Sequence, residues 1–201
     1  MTGATDLQPL VAADGLEVRY HGGPDPAVRG VSLRIGPGEG LLVSGPAGAG
    51  KTSLLRGLLG LVPLAGEVQV PTRVGYGPQG RGFASGLRVD EAVRMIAALR
   101  GAASPRATAE DALGRAGLQF VTGWRTSGLD AEGWRRLSLA LAIAGDPSLV
   151  VLDDPWALRD TLREIARARD RGAAVLAASS RPAGLAPALG RRLDMADGAP
   201  R

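Results

Sequence analysis

The sequence predicts an α/β fold in which short buried strands alternate with helices. Three apolar runs have the length expected of buried strands, and they lie at Gly40–Ser44, 148–153 and 173–178. A glycine-rich loop follows the first run, and leucines at helical spacing in 53–61 follow that loop. With 201 residues, of which 45% are hydrophobic, the chain can bury a sizeable core as a single domain.

The composition excludes several kinds of site. The chain has no cysteine, which excludes disulfides, thiolate metal ligands and cysteine nucleophiles. Residues 1–9 lack a basic segment followed by an apolar core, and the longest apolar stretch, 137–144, is far shorter than the roughly 20 residues that span a bilayer. We therefore expect a chain that is neither secreted nor membrane-spanning.

The positive charge is spread over solvated helix faces. The net charge is +4, and arginines alternate with acidic residues in stretches such as 162–171. This pattern argues against a nucleic-acid partner. Only one of the 24 basic residues is a lysine, Lys51. A lysine provides a compact charge on a flexible stem, which a planar guanidinium cannot replace. Lys51 is therefore a candidate functional residue.

The glycine-rich loop matches the phosphate-binding pattern G-x-x-x-x-G-K-[ST]. Glycines allow backbone N–H groups to converge on phosphate oxygens, and the helix that follows adds its positive dipole. Lys51 would reach the β- and γ-phosphates, and the Thr52 hydroxyl would bind Mg²⁺. The sequence predicts ATP and Mg²⁺ as ligands, with an unliganded glycine turn as the alternative. The predicted binding residues of this segment are Gly45, Ala47, Gly48, Ala49, Gly50, Lys51, Thr52 and Ser53.

A second acidic motif follows the apolar run at 148–153. Asp153 and Asp154 stand at the end of this predicted strand, about a hundred residues after the loop, where a carboxylate that holds the metal is expected. We predict that Asp153 lies on the metal side. For Asp154, the alternative is a helix cap for the segment that begins at Trp156.

These motifs resemble those of the ABC ATPase family, and the resemblance covers nearly the whole chain. It implies a P-loop core with an antiparallel β lobe, to which 16–20 and 28–39 would belong, and a small helical subdomain at approximately 83–137 within a single domain at 7–201. It also implies that Tyr20 stacks on the adenine. Half-buried packing is the alternative for Tyr20.

The resemblance continues after the P-loop. The stretch 73–79 is similar to the one that leads into the family's Q-loop, so Gln79 would contact Mg²⁺ or its water. The segment 87–100 predicts an amphipathic helix with apolar residues at Val89, Val93, Ile96 and Leu99. The resemblance thus implies catalytic roles for Lys51, Gln79 and Asp154, and metal binding by Thr52, Gln79 and Asp153.

Three positions depart from the family pattern. The signature that precedes the well-matched stretch 135–147 falls at 129–133, where only the leucine remains, and Asp130 and Glu132 would bring negative charge toward a phosphate. Asp154 replaces the usual glutamate and is one methylene shorter. The switch histidine position falls at Ser180, and we expect the single histidine, His21, to be a solvated loop residue.

Two functional hypotheses follow from the resemblance. In the first, the chain is an active ATPase subunit that couples ATP binding and hydrolysis to substrate movement by an integral membrane transporter subunit. In the second, it is an ATP-binding module with little turnover, paired with an active ABC ATPase. The departures favour a heterodimer over a homodimer. Either hypothesis implies a cytoplasmic chain held at the inner face of the membrane by its membrane partner.

Overall fold

The computed structural model describes residues 8–22, 25–80, 86–156 and 158–201. It has a mixed α/β architecture, as the sequence predicts. A short 3-10 helix covers Thr126–Gly128. The remaining elements, in chain order, are β1 (Val11–Val18), β2 (Val28–Ile35), β3 (Gly40–Ser44), α1 (Lys51–Leu58), β4 (Leu64–Gln69), β5 (Val74–Gly77), α2 (Val89–Leu99), α3 (Pro105–Arg115), α4 (Ala131–Ile143), β6 (Leu149–Asp153), α5 (Arg159–Asp170), β7 (Ala174–Ser179), α6 (Ala186–Leu189), β8 (Gly190–Ala196) and β9 (Ala199–Pro200).

The larger sheet has its strands in the order β5-β6-β7-β3-β8-β9. All neighbours are parallel except β8 and β9, which are antiparallel. In register, Asp153 pairs with Ala178 and Ser44 pairs with Ser179, so the carboxyl ends of these strands lie at one edge. The predicted site residues follow these strands, and parallel topology therefore gathers them at this edge.

The smaller sheet is antiparallel, with β1 between β2 and β4. This observation confirms the antiparallel lobe that the family resemblance implies. The third strand, β4, was not assigned to this lobe from the sequence. Apart from Val68, which is half-buried, its residues are exposed, so it carries no strong apolar alternation that would mark it as a strand.

The parallel sheet has an apolar core on each face. Side chains alternate between faces along a strand, so Leu42 packs with α2 to α5, whereas Leu41 and Val43 pack with α1 and the smaller sheet. Gly75 allows β5 to pack closely against α4, because a Cβ at this position would lie 1.8 Å from the carbonyl oxygen of Ala142 in α4. The core thus fixes α4 against the edge strand beside the site.

The helices between β5 and β6 include α2, α3 and α4. The predicted boundary near 137 falls inside α4, which continues to Ile143, and residues 83–85 of the predicted subdomain lie outside the described residues. The amphipathic helix predicted within 87–100 is present as α2, in which Val89 and Val93 are fully buried and Leu99 is 77% exposed. Leu99 lies at the edge of the apolar face in the final turn of α2, where the core no longer covers it.

Candidate nucleotide site

The P-loop connects β3 to α1 at the carboxyl edge of the parallel sheet. Helix α1 begins at Lys51, and its N-cap, Gly50, has a φ of 88°. A Cβ at Gly50 would lie 2.3 Å from the carbonyl oxygen of Ala27, so both conformation and space require glycine there. The first backbone N–H groups of α1 therefore face the loop, as anion binding at a helix N-terminus needs.

Lys51 is held over the loop by backbone carbonyls. Its Nζ donates to the carbonyl oxygens of Gly45 at 2.9 Å and Pro46 at 2.7 Å. Burial lowers the pKa of Lys51, and the charges of Asp154 and Asp153 act in the opposite direction. The ammonium group is thus placed beside the loop, where it can exchange a carbonyl for a phosphate oxygen.

The Thr52 hydroxyl and the Asp153 carboxylate lie together beneath the loop. Thr52 Oγ1 donates to Asp153 Oδ1 at 3.0 Å, and Asp153 is only 5% exposed. Burial raises the pKa of Asp153, while the hydrogen bond from Thr52 opposes that shift. A divalent cation would stabilise the charged carboxylate.

This pair fits Mg²⁺ as the resident ion. Mg²⁺ prefers hard oxygen ligands and takes one or two protein groups together with phosphate oxygens and waters. The described part of the chain contains no cluster of three His, Asp or Glu side chains that could hold a metal by themselves. With phosphate oxygens and waters as the remaining ligands, Thr52 and Asp153 would bind Mg²⁺ jointly with a nucleotide.

Most of the predicted site residues line one open cavity of about 290 Å³, whereas Tyr20, Gly45 and Ala49 do not line it. Gln79, which follows β5, and Ser180, which follows β7, reach the same cavity as the P-loop. The structure therefore brings together residues from five separate segments. The cavity is lined by Ala27, Ala47, Gly48, Gly50, Lys51, Thr52, Ser53, Gln79, Asp153, Asp154, Ala178 and Ser180.

Asp154 is directed by its backbone and by a hydrogen bond from Gln79. Its φ is 52°, in the left-handed region that Asp tolerates better than most residues, and its backbone N–H donates to the Ala178 carbonyl at 2.8 Å. Gln79 Nε2 donates to Asp154 Oδ2 at 3.4 Å. The helix-cap alternative is wrong, because α5 begins at Arg159 with Leu158 as its N-cap.

Tyr20 lies next to the P-loop helix. It follows β1, is 38% exposed, and its hydroxyl lies 3.3 Å from Ser53 Oγ. The ring is thus close to the start of α1 and accessible, and adenine stacking remains a prediction. His21 is exposed in the adjacent turn, as expected, and does not line the cavity.

The acidic residues of the altered signature are engaged within the chain. Asp130 is the N-cap of α4 and accepts a hydrogen bond from the Gly133 N–H at 2.8 Å. Glu132 pairs with Arg136 Nε at 2.9 Å. The Asp130 carboxylate therefore takes up a backbone N–H at the helix N-terminus, and that N–H would otherwise be available to hydrogen-bond a phosphate.

Sequence reasoning missed three side chains around the acidic motif. The Tyr76 hydroxyl lies 3.5 Å from Asp153 Oδ2, Arg135 Nη2 lies 3.4 Å from Asp154 Oδ2, and the Arg135 guanidinium stacks on the Trp156 ring at 4.3 Å. Trp156 directly follows the Asp-Asp-Pro sequence, and this position in the chain could have indicated that it lies near the acidic motif. Arg135 gave none, because an arginine on a helix is most often solvated.

Across the described residues, every helix is too short or too polar to cross a membrane.

Comparison with protein families identifies residues 28–157 as matching the model described as ABC transporter. The zinc import ATP-binding protein ZnuC of Roseobacter denitrificans is 39% identical over 152 residues, which cover 72% of this chain and 56% of that protein. The cytochrome c biogenesis ATP-binding export protein CcmA of Rhodobacter capsulatus is 38% identical over 149 residues, which cover 73% of this chain and 66% of that protein. The chain thus spans between about half and two thirds of the relatives it matches.

Comparison with solved structures supports the same fold. A dimeric ATP-binding cassette, MJ0796, in a post-hydrolysis state with ADP and Pi, superposes with a TM-score of 0.86 at 22% identity, covering 95% of this chain and 96% of that chain. A second structure, described as the ATP-binding subunit of an ABC transporter, gives 0.83 at 17% identity, with 95% and 88% covered. By its sequence motifs, its fold and the match over 28–157, the chain belongs to the ABC transporter family.

Proposed function

We propose that the chain is the ATP-binding subunit of an ABC transporter and couples ATP binding and hydrolysis to substrate movement by a membrane partner. The observation that carries this proposal is the 3.0 Å hydrogen bond between Thr52 and Asp153, which joins two motifs 101 residues apart. A phosphate-binding loop and a metal-binding carboxylate meet there, as nucleotide hydrolysis requires.

The predicted site residues have distinct tasks in this proposal. Lys51 and the loop N–H groups hold the β- and γ-phosphates, and Tyr20 provides a stacking surface for the base. Thr52 and Asp153 would hold Mg²⁺, with Gln79 nearby, and the ion would neutralise charge on the phosphates when bound. Asp154 would accept the proton of the attacking water.

The membrane partner is proposed to dock at a groove that begins beside Gln79. This groove has a volume of about 500 Å³ and adjoins the nucleotide cavity, because Gln79 lines both. Docking there would hold the chain at the cytoplasmic face of the membrane. The groove is lined by Arg56, Leu59, Leu61, Val74, Tyr76, Pro78, Gln79, Gly80, Ile96, Arg100 and Leu141.

The named relatives serve different transport processes. Their names describe import of zinc, import of aliphatic sulfonates and export in cytochrome c biogenesis. These names support transport as the common function rather than one substrate.

Low intrinsic turnover is the second part of the proposal. The Asp130 carboxylate accepts a hydrogen bond from the N-terminus of its own helix, at the place of the family's signature serine. Asp154 has a shorter side chain than the family's glutamate. Ser180 stands at the position of the family's switch histidine and lines the cavity. These features favour pairing with a second, intact ABC ATPase. In a heterodimer, the altered signature and the altered catalytic residues of this chain fall in different sites.

The ATP site is tested by Lys51→Ala. We expect the wild-type chain to bind ATP with Mg²⁺ at a Kd between about 1 μM and 1 mM, and Lys51→Ala to weaken binding strongly because the phosphates lose their positive partner. Isothermal titration calorimetry measures both. Arg106→Ala, which removes an exposed charge, is the control. Equal affinity in the wild type and Lys51→Ala would reject the site.

Turnover by the isolated chain is expected to be near background. A positioned general base contributes about 10² to 10⁴ in rate, and misplacement of its carboxylate by about an ångström can cost about a hundredfold. Phosphate release at saturating ATP and Mg²⁺ measures the rate. Robust turnover by the isolated chain would contradict the proposed effect of these departures, even if ATP binding is confirmed.

A further inference from the structure

A further cavity lies at the opposite edge of the parallel sheet from the nucleotide cavity. Its volume is about 510 Å³, and it shares no lining residue with the nucleotide cavity. Small-molecule sites occupy about 300 to 1,000 Å³. Val74, which lines the cavity, pairs with Leu149, and each residue begins its strand, so the cavity lies at the amino edge of the sheet. It is lined by Thr72, Arg73, Val74, Leu99, Arg100, Gly101, Ala102, Gly145 and Pro147.

This cavity has two cations and no acidic side chain in its lining. The cations are Arg73 and Arg100. Among the described residues, every hydrogen bond of either guanidinium goes to a main-chain carbonyl. Asp146, whose carbonyl Arg73 contacts, has its carboxylate paired with Arg115 and Arg171 instead. Neither cation of the cavity therefore has a carboxylate partner in the part of the chain that the structure describes.

Both arginines retain hydrogen-bond donors. Arg100 Nη1 donates to the carbonyls of Leu141 at 2.8 Å and Ala144 at 2.9 Å, and Arg73 Nη2 donates to that of Gly145 at 2.6 Å. These bonds satisfy carbonyls at the end of α4. A guanidinium has five N–H donors, and each arginine uses only one nitrogen for these bonds. Because the carbonyls of Ala144 and Gly145 are consecutive, the two guanidinium groups lie close together.

Burial makes an anionic partner favourable for Arg100. The residue is half-buried, and burial lowers its pKa to about 10, so it remains charged at neutral pH. A cation that is partly removed from water is stabilised by an opposite charge. Guanidinium groups bind carboxylates and phosphates through paired hydrogen bonds. Val74, Leu99 and Pro147 add apolar wall to the same cavity, which suits a ligand with an apolar portion.

We propose that this cavity binds a small organic anion, whose carboxylate or phosphate group meets Arg73 and Arg100 and whose apolar portion contacts Leu99. The site is separate from the proposed ATP site, because the two cavities lie at opposite edges of the sheet. Anion binding therefore does not depend on the proposed function. Arg100 also lines the groove proposed for the membrane partner, so a bound anion would lie beside that surface.

The test uses hexanoate and hexyl phosphate as probes, with hexanol as an uncharged probe of the same chain length. Each is titrated into the full-length chain, and ¹H–¹⁵N NMR follows the Nε–H signals of the arginine side chains. We expect the signals of Arg73 and Arg100 to shift with the anions and not with hexanol. A response to only one of the two anions supports the site and identifies the group that it takes. The same response in Lys51→Ala would show that the anion does not bind at the P-loop.

Two kinds of variant test the proposed contacts. Arg73→Met and Arg100→Met should each weaken anion binding about tenfold or more, because each removes hydrogen bonds to a charged group. Leu99→Glu leaves both arginines and their bonds to α4 in place. Leu99 is 77% exposed, and a carboxylate there should also weaken binding about tenfold by repulsion. Met95→Glu is the matched control, because it adds the same charge at an exposed position one turn earlier on α2, outside the cavity lining.

Several results would overturn the proposed anion site. One is the absence of any shift in the Arg73 and Arg100 signals with either anion, and another is an equal shift with hexanol. Equal affinity in Leu99→Glu and Met95→Glu would also overturn it, because binding would then not depend on charge at the cavity. Loss of the response in Lys51→Ala would assign the anion to the P-loop. By contrast, failure of the chain to bind ATP would reject the proposed function and leave the anion site standing.

Discussion

Replacing the catalytic glutamate of the partner ATPase with glutamine is expected to abolish ATP hydrolysis by the proposed heterodimer, whereas Asp154→Asn in this chain should change it little. In a head-to-tail dimer, each site combines the P-loop of one subunit with the signature of the other. The partner's catalytic set would face the altered signature at 129–133, and the site with Asp154 would face an intact signature. Loss of a working general base costs about 10² to 10⁴ in rate.

The asymmetry is measured as phosphate release by the purified membrane complex. Arg106→Ala in this chain is the control for an effect of surface charge. If Asp154→Asn abolishes activity while the partner's variant retains it, turnover resides in the site formed by this chain. Failure of the chain to associate with a second ATPase in the complex would reject the heterodimer itself.

Arg115→Met is expected to lower the free energy of unfolding by about 3 to 5 kcal/mol, because it leaves the Glu164 carboxylate buried without a counter-ion. Glu164 is 2% exposed and accepts hydrogen bonds from the Arg115 guanidinium, including one from Nε at 3.0 Å. Arg115 also bonds to Asp111 and Asp146, each at 3.0 Å. This network joins α3 to α5 and to the turn after α4.

Urea denaturation, followed by circular dichroism, measures this loss of stability. Arg106→Met on the same helix breaks an exposed pair with Glu110 and should cost no more than about 1 kcal/mol. Combining Arg115→Met with Glu164→Leu should restore much of the stability, because the second change removes the unpaired charge. If Arg115→Met and Arg106→Met lower the free energy of unfolding by similar amounts, burial of Glu164 does not determine the loss of stability.

The sequence by itself determined the fold class, the P-loop and the acidic motif. Each depends on neighbouring residues: an apolar run, a loop whose glycines allow the phosphate-binding conformation, or two acids at a strand end. The sequence predicted a Mg²⁺ ligand in each motif, Thr52 and Asp153, and the parallel strands bring these two side chains to the same edge of the sheet. The family resemblance extended the prediction to Gln79 and Tyr20, which lie at and beside this edge.

The tertiary structure alone decided which distant side chains meet these motifs. Arg135 reaches Asp154 across 19 residues, and Arg115 reaches Glu164 across 49. Nothing local distinguishes these two arginines from the solvated ones on other helices. Their roles depend on how α3, α4 and α5 pack against one another and against the parallel sheet, because packing sets which charges are buried together and which remain in water.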